Sequence, residues 1–86
     1  MPEYKKDGYL FIAPSNTKGK KYDVYKDGKK LASFGALPYQ HYHDKIGNYN
    51  KLDHYDENRR RLYNARHEKD KDIYEHPGWF ASKYLW

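Results

Sequence analysis

The chain of 86 residues contains no cysteine. Disulfide bonds and thiolate metal sites are therefore excluded. Long apolar runs are missing as well: the stretch from Tyr9 to Ala13 has only five residues, whereas a membrane-spanning helix needs about 20. We therefore expect no transmembrane span, no secretory signal peptide and a protein that is not secreted.

Aliphatic side chains are scarce. Val24 is the only valine, whereas tyrosine occurs eleven times and aromatic residues make up 19% of the chain. A hydrophobic core must therefore be built largely from rings, whose hydroxyl and indole groups need hydrogen-bond partners or a wet edge. This content of rings indicates a folded chain, because disordered chains are poor in aromatic residues. The length fits a single domain over residues 1–86.

Positive charge exceeds negative charge, with a formal net charge of +5. The excess is concentrated in residues 18–30, which carry six lysines against Asp23 and Asp27. Residues 51–86 are nearly balanced, with eight basic and seven acidic side chains, in spite of the arginine triplet at residues 59–61. A basic chain favours an anionic partner, and we expect its positive field mainly in the lysine-rich first half.

The first half of the chain predicts a sheet. Residues 8–13 form a short apolar run that ends at Pro14 and is typical of a strand. Two extended segments then flank Asp27-Gly28, a dipeptide suited to a type I′ turn because both central positions need positive φ. Alternation places Tyr22 and Val24 on one face. On the return strand it pairs either Leu31 with Ser33 or Ala32 with Phe34.

The second half predicts helices. Pro38 suits a first helical position, so we expect a short helix from there through Lys45 or Ile46, closed by Gly47. The longest predicted helix covers about residues 57–69. Its N-cap is Asp53 or Asp56, since a carboxylate can accept the first main-chain N–H groups.

Together these elements predict an α+β fold, in which a small three-stranded antiparallel sheet with its hairpin at Asp27-Gly28 is packed by two or three short helices. The β platform covers residues 9–35, the helical segment residues 38–69, and an aromatic C-terminal closure residues 77–86. In the closure we expect Trp79, Phe80 and Trp86 to pack internally. The alternative is that these rings are hot spots for a protein partner.

Four of the five histidines lie in residues 39–67. His41 and His43 are two residues apart and would face different sides of a helix, where a metal pair needs a spacing of three or four. The chain has no His-Glu-x-x-His motif. We therefore predict neither a metal site nor a cofactor, and expect the histidines to lie at the surface or in hydrogen bonds beside tyrosines.

The order Asp53, His54, Asn58, Asn64, His67 is similar to that of the His-Asn-His nucleases. That motif needs a β-hairpin between its first histidine and its central asparagine, and only three residues separate His54 from Asn58. Glycine-rich phosphate loops and nucleophile elbows are missing too. We therefore predict that the protein is not an enzyme and has no catalytic residues.

Basic and aromatic residues occur together on the predicted hairpin and the long helix. Lysine answers phosphate charge, arginine can bind phosphate with two hydrogen bonds, and exposed rings can stack on bases. The arginines have an alternative interpretation as a solvated helix face, because Asp56 and Glu57 lie three to five residues before Arg60 and Arg61. The candidate nucleic-acid-binding residues are Lys18, Lys20, Lys21, Lys29, Lys30, Arg59, Arg60, Arg66, Tyr22, Tyr25 and Tyr63.

Four segments taken together, KKYDVY, SFG, YHDKIGNYNKLDHYDENRRRLYNARH and WFASKYLW, resemble the uncharacterised small basic proteins of large DNA viruses and tailed phages. The resemblance covers roughly residues 9–86. It implies a viral origin, one compact domain, and a location in the virion or the host cell interior, cytoplasm or nucleus. No activity is implied. The matching positions include Gly47, Leu52, Asp53, His54, Asp56, Arg59, Arg60, Tyr63, Arg66 and His67.

Two functions follow as hypotheses. The first is a small basic viral accessory protein that binds nucleic acid non-specifically through phosphate contacts, with an affinity that falls steeply with salt. The alternative is a virion structural or capsid-associated protein that acts through protein–protein contacts and shows little salt dependence. A third role, blocking a host defence protein, has no supporting residues, and the positive charge weighs against mimicry of nucleic acid.

Overall fold

A computed structural model describes residues 2–86. Four strands form one antiparallel sheet with the spatial order β1-β2-β3-β4. These strands are β1 (Glu3–Lys6), β2 (Tyr9–Ile12), β3 (Lys20–Lys26) and β4 (Lys29–Ala36). Two helices follow, α1 (Glu57–Arg66) and α2 (Pro77–Tyr84), with a 3-10 turn at Asn50–Leu52 before them. The predicted α+β class is confirmed.

The predicted hairpin at Asp27-Gly28 is confirmed. Asp27 has φ 52° and Gly28 has φ 78°, as a two-residue turn of this type requires. Lys26 pairs with Lys29 directly across the turn. Local turn chemistry therefore sets the register of the two longest strands.

The prediction of three strands is wrong, because β1 adds a fourth. It pairs with β2 in the register Glu3↔Ile12, and the turn between them is Asp7-Gly8, again with positive φ at both residues, 54° and 83°. Strand β1 lies at the sheet edge and is mostly exposed. Its sequence EYKK therefore lacks the apolar alternation that marks a half-buried strand.

The prediction of a helix from Pro38 to Ile46 is also wrong. Residues 37–49 form an irregular loop. The Asp44 carboxylate accepts hydrogen bonds from the main-chain N–H groups of Ile46, Gly47 and Tyr49 at 2.9, 3.0 and 2.8 Å. Because one buried side chain takes these donors, the main chain does not form a helical ladder here.

Helix α1 is shorter than the predicted 57–69 and ends at Arg66. Of the two candidate caps, Asp56 is the one used: its Oδ1 accepts from the main-chain N–H groups two and three residues later, at 2.9 and 3.2 Å. No residue of α1 is buried. The helix therefore lies on the surface and is free to present side chains on several sides.

The core is made of rings, as the scarcity of aliphatic residues predicts. Phe11 is fully buried on the sheet and has five ring neighbours, from β2, β3, β4 and α2, with centroids 4.9–6.5 Å away. Edge-to-face contacts of this kind add to the free energy gained by burial. Helix α2 covers one face of the sheet. The buried residues are Tyr9, Phe11, Ala13, Tyr22, Val24, Ala32, Phe34, Phe80, Ala81, Tyr84 and Leu85.

Buried tyrosine hydroxyls need partners, and the structure supplies them. The Tyr9 hydroxyl donates to Glu75 at 2.7 Å, and the Tyr84 hydroxyl donates to Asp7 at 2.9 Å. Both acceptors are distant in sequence, so the hydroxyls tie the two ends of the chain to the core. Of the rings in the predicted C-terminal closure, Phe80 is buried, and Trp79 packs against it with a centroid distance of 5.0 Å. Internal packing is confirmed for these two rings.

No helix in residues 2–86 has both the length and the apolar character needed to cross a membrane.

Candidate nucleic-acid interface

An open groove of about 560 Å³ lies between the end of β4 and the two helices. Its floor includes Gly35, which has φ 81° and whose Cβ, if present, would lie 2.9 Å from Leu85 Cδ1. Glycine at this position therefore lets the strand approach α2 closely. The residues that line the groove also include Lys20, Lys21, Tyr39, Gln40, Arg59, Tyr63, Arg66, His67, Asp70 and Trp86.

The lining of this groove is basic. Lys20 comes from the start of β3, and Arg59 and Arg66 come from the first and last turns of α1. Neither Lys20 nor Arg66 forms an ion pair with any residue in the described range 2–86. The acidic lining residue, Asp70, lies 3.5 Å from the His67 ring nitrogen. Unpaired cations from two distant segments thus converge on one open surface.

Arg59 and Arg60 differ in what they can reach. Arg59 Nη1 donates to the Gln40 side chain at 2.9 Å, and the other N–H groups of its guanidinium form no hydrogen bond within residues 2–86. Arg60 instead donates through Nε to the Trp86 carbonyl at 2.7 Å and stacks 4.9 Å from the centre of the Tyr42 ring. Arg60 therefore attaches α1 to the rest of the fold. It does not line the groove and is corrected from a nucleic-acid contact to a structural residue.

Tyr63, a predicted stacking ring, is already stacked on both sides. Its centroid lies 4.2 Å from that of Trp86, with the planes 4° apart, and 4.2 Å from that of His67. Trp86 also contacts the His54 ring at 5.2 Å. The ring of Tyr63 therefore helps to build one wall of the groove and has no free face for a base.

The predicted lysines do not lie together. Lys20 is at one end of the β3–β4 hairpin, whereas Lys29 and Lys30 are at the turn end, about 20 Å away at the usual strand rise. Lys30 Nζ lies 3.3 Å from a carboxylate oxygen of Asp23. Lys18 is exposed in the loop before β3. Only Lys20 and Lys21 of the predicted lysines line the groove.

Two predicted contact residues lie inside the protein. Tyr22 is fully buried, and its hydroxyl donates to Asp44 at 2.5 Å. Burial and this carboxylate raise the pKa of Tyr22. Lys21 is 1% exposed. Tyr25, which was also predicted to contact nucleic acid, is half-buried and lines a separate cavity beside the Asp27-Gly28 turn. Tyr22 and Lys21 are therefore corrected from surface contacts to structural groups.

Lys21 belongs to a buried polar chain that leads to Asp53. Lys21 Nζ lies 3.0 Å from His41 Nδ1, and His41 Nε2 lies 2.6 Å from Asp53 Oδ1. An ammonium group only donates, so His41 accepts at Nδ1 and, in its neutral form, donates from Nε2 to the carboxylate. Burial lowers the pKa of Lys21 to about 8. Burial and the neighbouring Lys21 lower the pKa of His41.

Asp53 is the centre of this network. Its side chain is 2% exposed and also accepts from Asn50 at 2.8 Å and from the Asp44 main chain at 2.7 Å. Burial by itself would raise its pKa, but the hydrogen bonds from Asn50, Asp44, His43 and His41 outweigh this and lower the pKa to about 2. The network thus cross-links β3, the 37–49 loop and the segment after the 3-10 turn.

The network also positions Tyr39, which the sequence did not single out. Lys21 Nζ donates to the Tyr39 carbonyl at 2.7 Å, and the Tyr39 N–H donates to the Ala36 carbonyl at 3.2 Å. The ring itself is 69% exposed and lines the groove. No sequence pattern marks this residue, because its position depends on a buried lysine 18 residues earlier.

The histidines of residues 39–67 differ in their contacts. His41 and His43 both contact Asp53, at 2.6 and 2.8 Å. Within residues 2–86 the structure contains no group of three or more histidine, cysteine, aspartate or glutamate side chains arranged to hold a metal ion. Hydrogen bonds to Asp53 thus engage His41 and His43, whereas Nε2 of His54 is buried without a hydrogen-bond partner in residues 2–86.

Acid is expected to destabilise the protein in two steps. Below the usual histidine value of 6.5, the unfolded chain binds a proton at His41 that the native state does not, since the native pKa is lowered. Between 3.8 and about 2, Asp53 adds a second loss, worth about 2 kcal/mol in the free energy of unfolding. Urea denaturation at pH 7, 5 and 2 measures both steps.

The variant His41→Gln separates the two steps. It should be less stable than the wild type at pH 7, yet lose less stability between pH 7 and pH 5, because the titrating ring has gone. The exposed His76 provides the matched control, and His76→Gln should keep the wild-type profile. Equal slopes for His41→Gln and the wild type from pH 7 to pH 5 would contradict the role given to His41.

Comparisons with protein-family models, with curated proteins and with solved structures find no match for this chain. Function is therefore inferred from the geometry and charge of the groove.

Proposed function

We propose that the protein is a small basic accessory protein of a virus or phage that binds nucleic acid non-specifically through phosphate contacts in the groove. The observation that carries the proposal is the convergence of Lys20, Arg59 and Arg66 on one open surface from segments about 40 residues apart. If Arg59 and Arg66 were only solvated charges on a helix face, we would not expect them to line the same cavity as Lys20 at the start of β3. We propose no catalytic activity.

The physical basis is counterion release. Each phosphate that a lysine or arginine neutralises sets condensed cations free, so that affinity falls linearly with salt on a logarithmic scale. Guanidinium groups add hydrogen bonds of fixed geometry to phosphate oxygens. Three groove cations therefore predict a slope of roughly −2 on single strands, at about 0.7 per contact.

Removing Lys20 and Arg66, the two groove cations without an ion pair or a side-chain hydrogen bond in residues 2–86, should weaken binding in a salt-dependent way. In Lys20→Ala/Arg66→Ala the slope of log K against log salt should fall in size by about 1.4, since two phosphate contacts are lost. Fluorescence anisotropy with labelled single- and double-stranded DNA and RNA at several salt concentrations measures this slope.

The control has the same change in net charge outside the groove. Lys29 lies at the hairpin turn, and the exposed Arg61 donates to Asn58 at 2.7 Å on α1. Lys29→Ala/Arg61→Ala should keep a slope within about 0.4 of the wild type, allowing for the weaker general field. If the two double variants lose affinity equally, net charge and not the groove governs binding. If the wild type binds none of the four nucleic acids at low salt, the proposal fails.

A second candidate function is a virion structural or capsid-associated role. It is favoured by exposed apolar side chains away from the groove, among them Leu62 at 56%, Ile73 at 47% and Tyr74 at 64%. Exposed rings and aliphatic groups are common in contacts between proteins. Binding of a shell protein that is insensitive to salt, without any binding of nucleic acid, would favour this role over the first.

A further inference from the structure

We infer that the groove takes single-stranded rather than duplex nucleic acid, and that one base stacks on the ring of Tyr39. The inference rests on the proposed function and adds to it the class of ligand and the residue that selects it. It follows from three observations: the exposure of this ring, the fixed main chain beneath it, and the closed faces of the other rings in the groove.

Tyr39 is the most exposed large hydrophobic side chain in the described residues, at 69%. It lies on the groove lining beside Gln40, whose side-chain oxygen accepts the hydrogen bond from Arg59. The guanidinium of Arg59, which is hydrogen-bonded to the residue next to Tyr39, is thus placed to receive the phosphate of a base that stacks on this ring. A ring beside a cation is the usual arrangement of proteins that bind single strands.

The main chain that carries this ring is held at both polar groups. Its carbonyl accepts from the buried Lys21 at 2.7 Å, and its N–H donates to Ala36 at 3.2 Å. Lys21 is itself fixed by His41, which is fully buried. Binding therefore orders little more than the ring's own torsions, which lowers the entropic cost of stacking. The buried network therefore fixes the position of a residue at the surface.

The other rings of the groove are each covered on at least one face. Tyr63 lies between Trp86 and His67, at 4.2 Å from each. Trp86 is covered by Tyr63 and contacted by His54. Phe34 is 1% exposed. His67 is stacked on Tyr63 through one face and its side chain is 38% exposed. Among the rings in the described groove lining, Tyr39 is thus the one most open to a planar ligand.

A stacking ring selects single strands for a simple reason. In a duplex each base is stacked on its neighbours, so its face is closed, and a protein reaches only phosphates and groove edges. In a single strand the bases are unstacked and can lie on a side chain. Cations alone would bind both forms, whereas cations with one open ring favour the single strand.

The experiment compares three labelled ligands of equal length, each at several salt concentrations: a single strand, the matching duplex, and a single strand of abasic sugar-phosphate. Tyr39→Ala should weaken binding of the single strand by about 5- to 150-fold, the range for loss of one base stack. It should leave duplex and abasic affinity unchanged, and the salt slope unchanged as well. The wild type should prefer the single strand to the abasic strand by a similar factor.

Two variants keep this result interpretable. Tyr39→Phe retains the ring and should bind the single strand within about twofold of the wild type. Tyr74→Ala removes another exposed ring, at 64%, outside the groove, and should change nothing. Because the Tyr39 ring is exposed, circular dichroism and thermal melting should show Tyr39→Ala folded like the wild type.

The outcomes separate the inference from the proposed function. If Lys20→Ala/Arg66→Ala weakens binding of all three ligands while Tyr39→Ala changes none, the inference is overturned and phosphate binding stands. If Tyr39→Ala weakens all three ligands alike, Tyr39 acts on the shape of the groove and the stacking inference is again overturned. If the wild type binds no ligand, both fall together.

Discussion

Replacing Asp44 by alanine is expected to lower the free energy of unfolding by about 3–5 kcal/mol. The carboxylate is 1% exposed and accepts four hydrogen bonds, from the Tyr22 hydroxyl at 2.5 Å and from the main-chain N–H groups of Ile46, Gly47 and Tyr49. Alanine would leave these donors without a partner in a region that excludes water. Each unsatisfied buried donor costs about 1–3 kcal/mol, reduced where the loop can open to solvent.

Urea denaturation followed by circular dichroism measures this loss. Asp72 provides the control because it is an exposed carboxylate, and Asp72→Ala should change stability by less than about 0.5 kcal/mol. Tyr22→Phe removes the hydroxyl that donates to Asp44 and should lower the free energy of unfolding by about 1–2 kcal/mol. A loss below about 1 kcal/mol for Asp44→Ala would show that the loop is not held by this carboxylate.

Phe80→Ala is expected to destabilise the protein by about 3–5 kcal/mol. The side chain is fully buried on α2 and packs the helix against the sheet, with ring centroids 5.2 Å from Tyr9 and 5.6 Å from Phe34. Alanine would leave a cavity that neighbouring rings cannot fill without leaving their own contacts. A domain of this size has a free energy of unfolding of about 5–10 kcal/mol in total, so roughly a third or more of it would be lost.

Thermal and urea unfolding at neutral pH measure the effect of this change. Leu62→Ala is the matched truncation on the other helix, where the side chain is 56% exposed, and should cost less than about 1 kcal/mol. Phe80→Leu keeps most of the apolar volume and should fall between the two. Equal losses for Phe80→Ala and Leu62→Ala would contradict the assignment of α2 as the element that closes the core.

Phe80 and Asp44 stabilise different parts of the fold. Phe80 holds α2 against the sheet through apolar contacts, which are strong but not directional. Asp44 holds the 37–49 loop through hydrogen bonds, which fix geometry more narrowly. Because the groove is bounded by α2 on one side and by this loop on the other, its shape depends on both.

The local features of the fold could be predicted from the sequence. Asp27-Gly28 predicted the hairpin correctly because its turn type depends on the two residues themselves. Asp7-Gly8 carries the same signal with the same outcome, and was missed because the strand before it is polar. Asp56 likewise caps α1 as its side-chain chemistry predicts. Where neighbours in sequence decide the conformation, sequence reasoning succeeds.

Non-local contacts explain the failures. The helix predicted after Pro38 does not form, because Asp44 and Asp53 collect main-chain and side-chain donors from across the loop. Lys21 was placed on the surface by its charge, but it is buried against His41, 20 residues later. No local pattern distinguishes a buried lysine from an exposed one, since its partners come from elsewhere in the chain.

The sequence by itself determined the class of the protein: a basic α+β chain without cysteine, with a core of rings and a hairpin at Asp27-Gly28. These properties follow from composition, short-range turn chemistry and the cost of leaving rings in water. Only the tertiary structure decided which charges act together. It brings Lys20 to Arg59 and Arg66, buries Lys21 and Tyr22, and leaves Tyr39 open on the groove. A surface is defined by which distant side chains are neighbours, and that depends on how α1, α2 and the sheet pack.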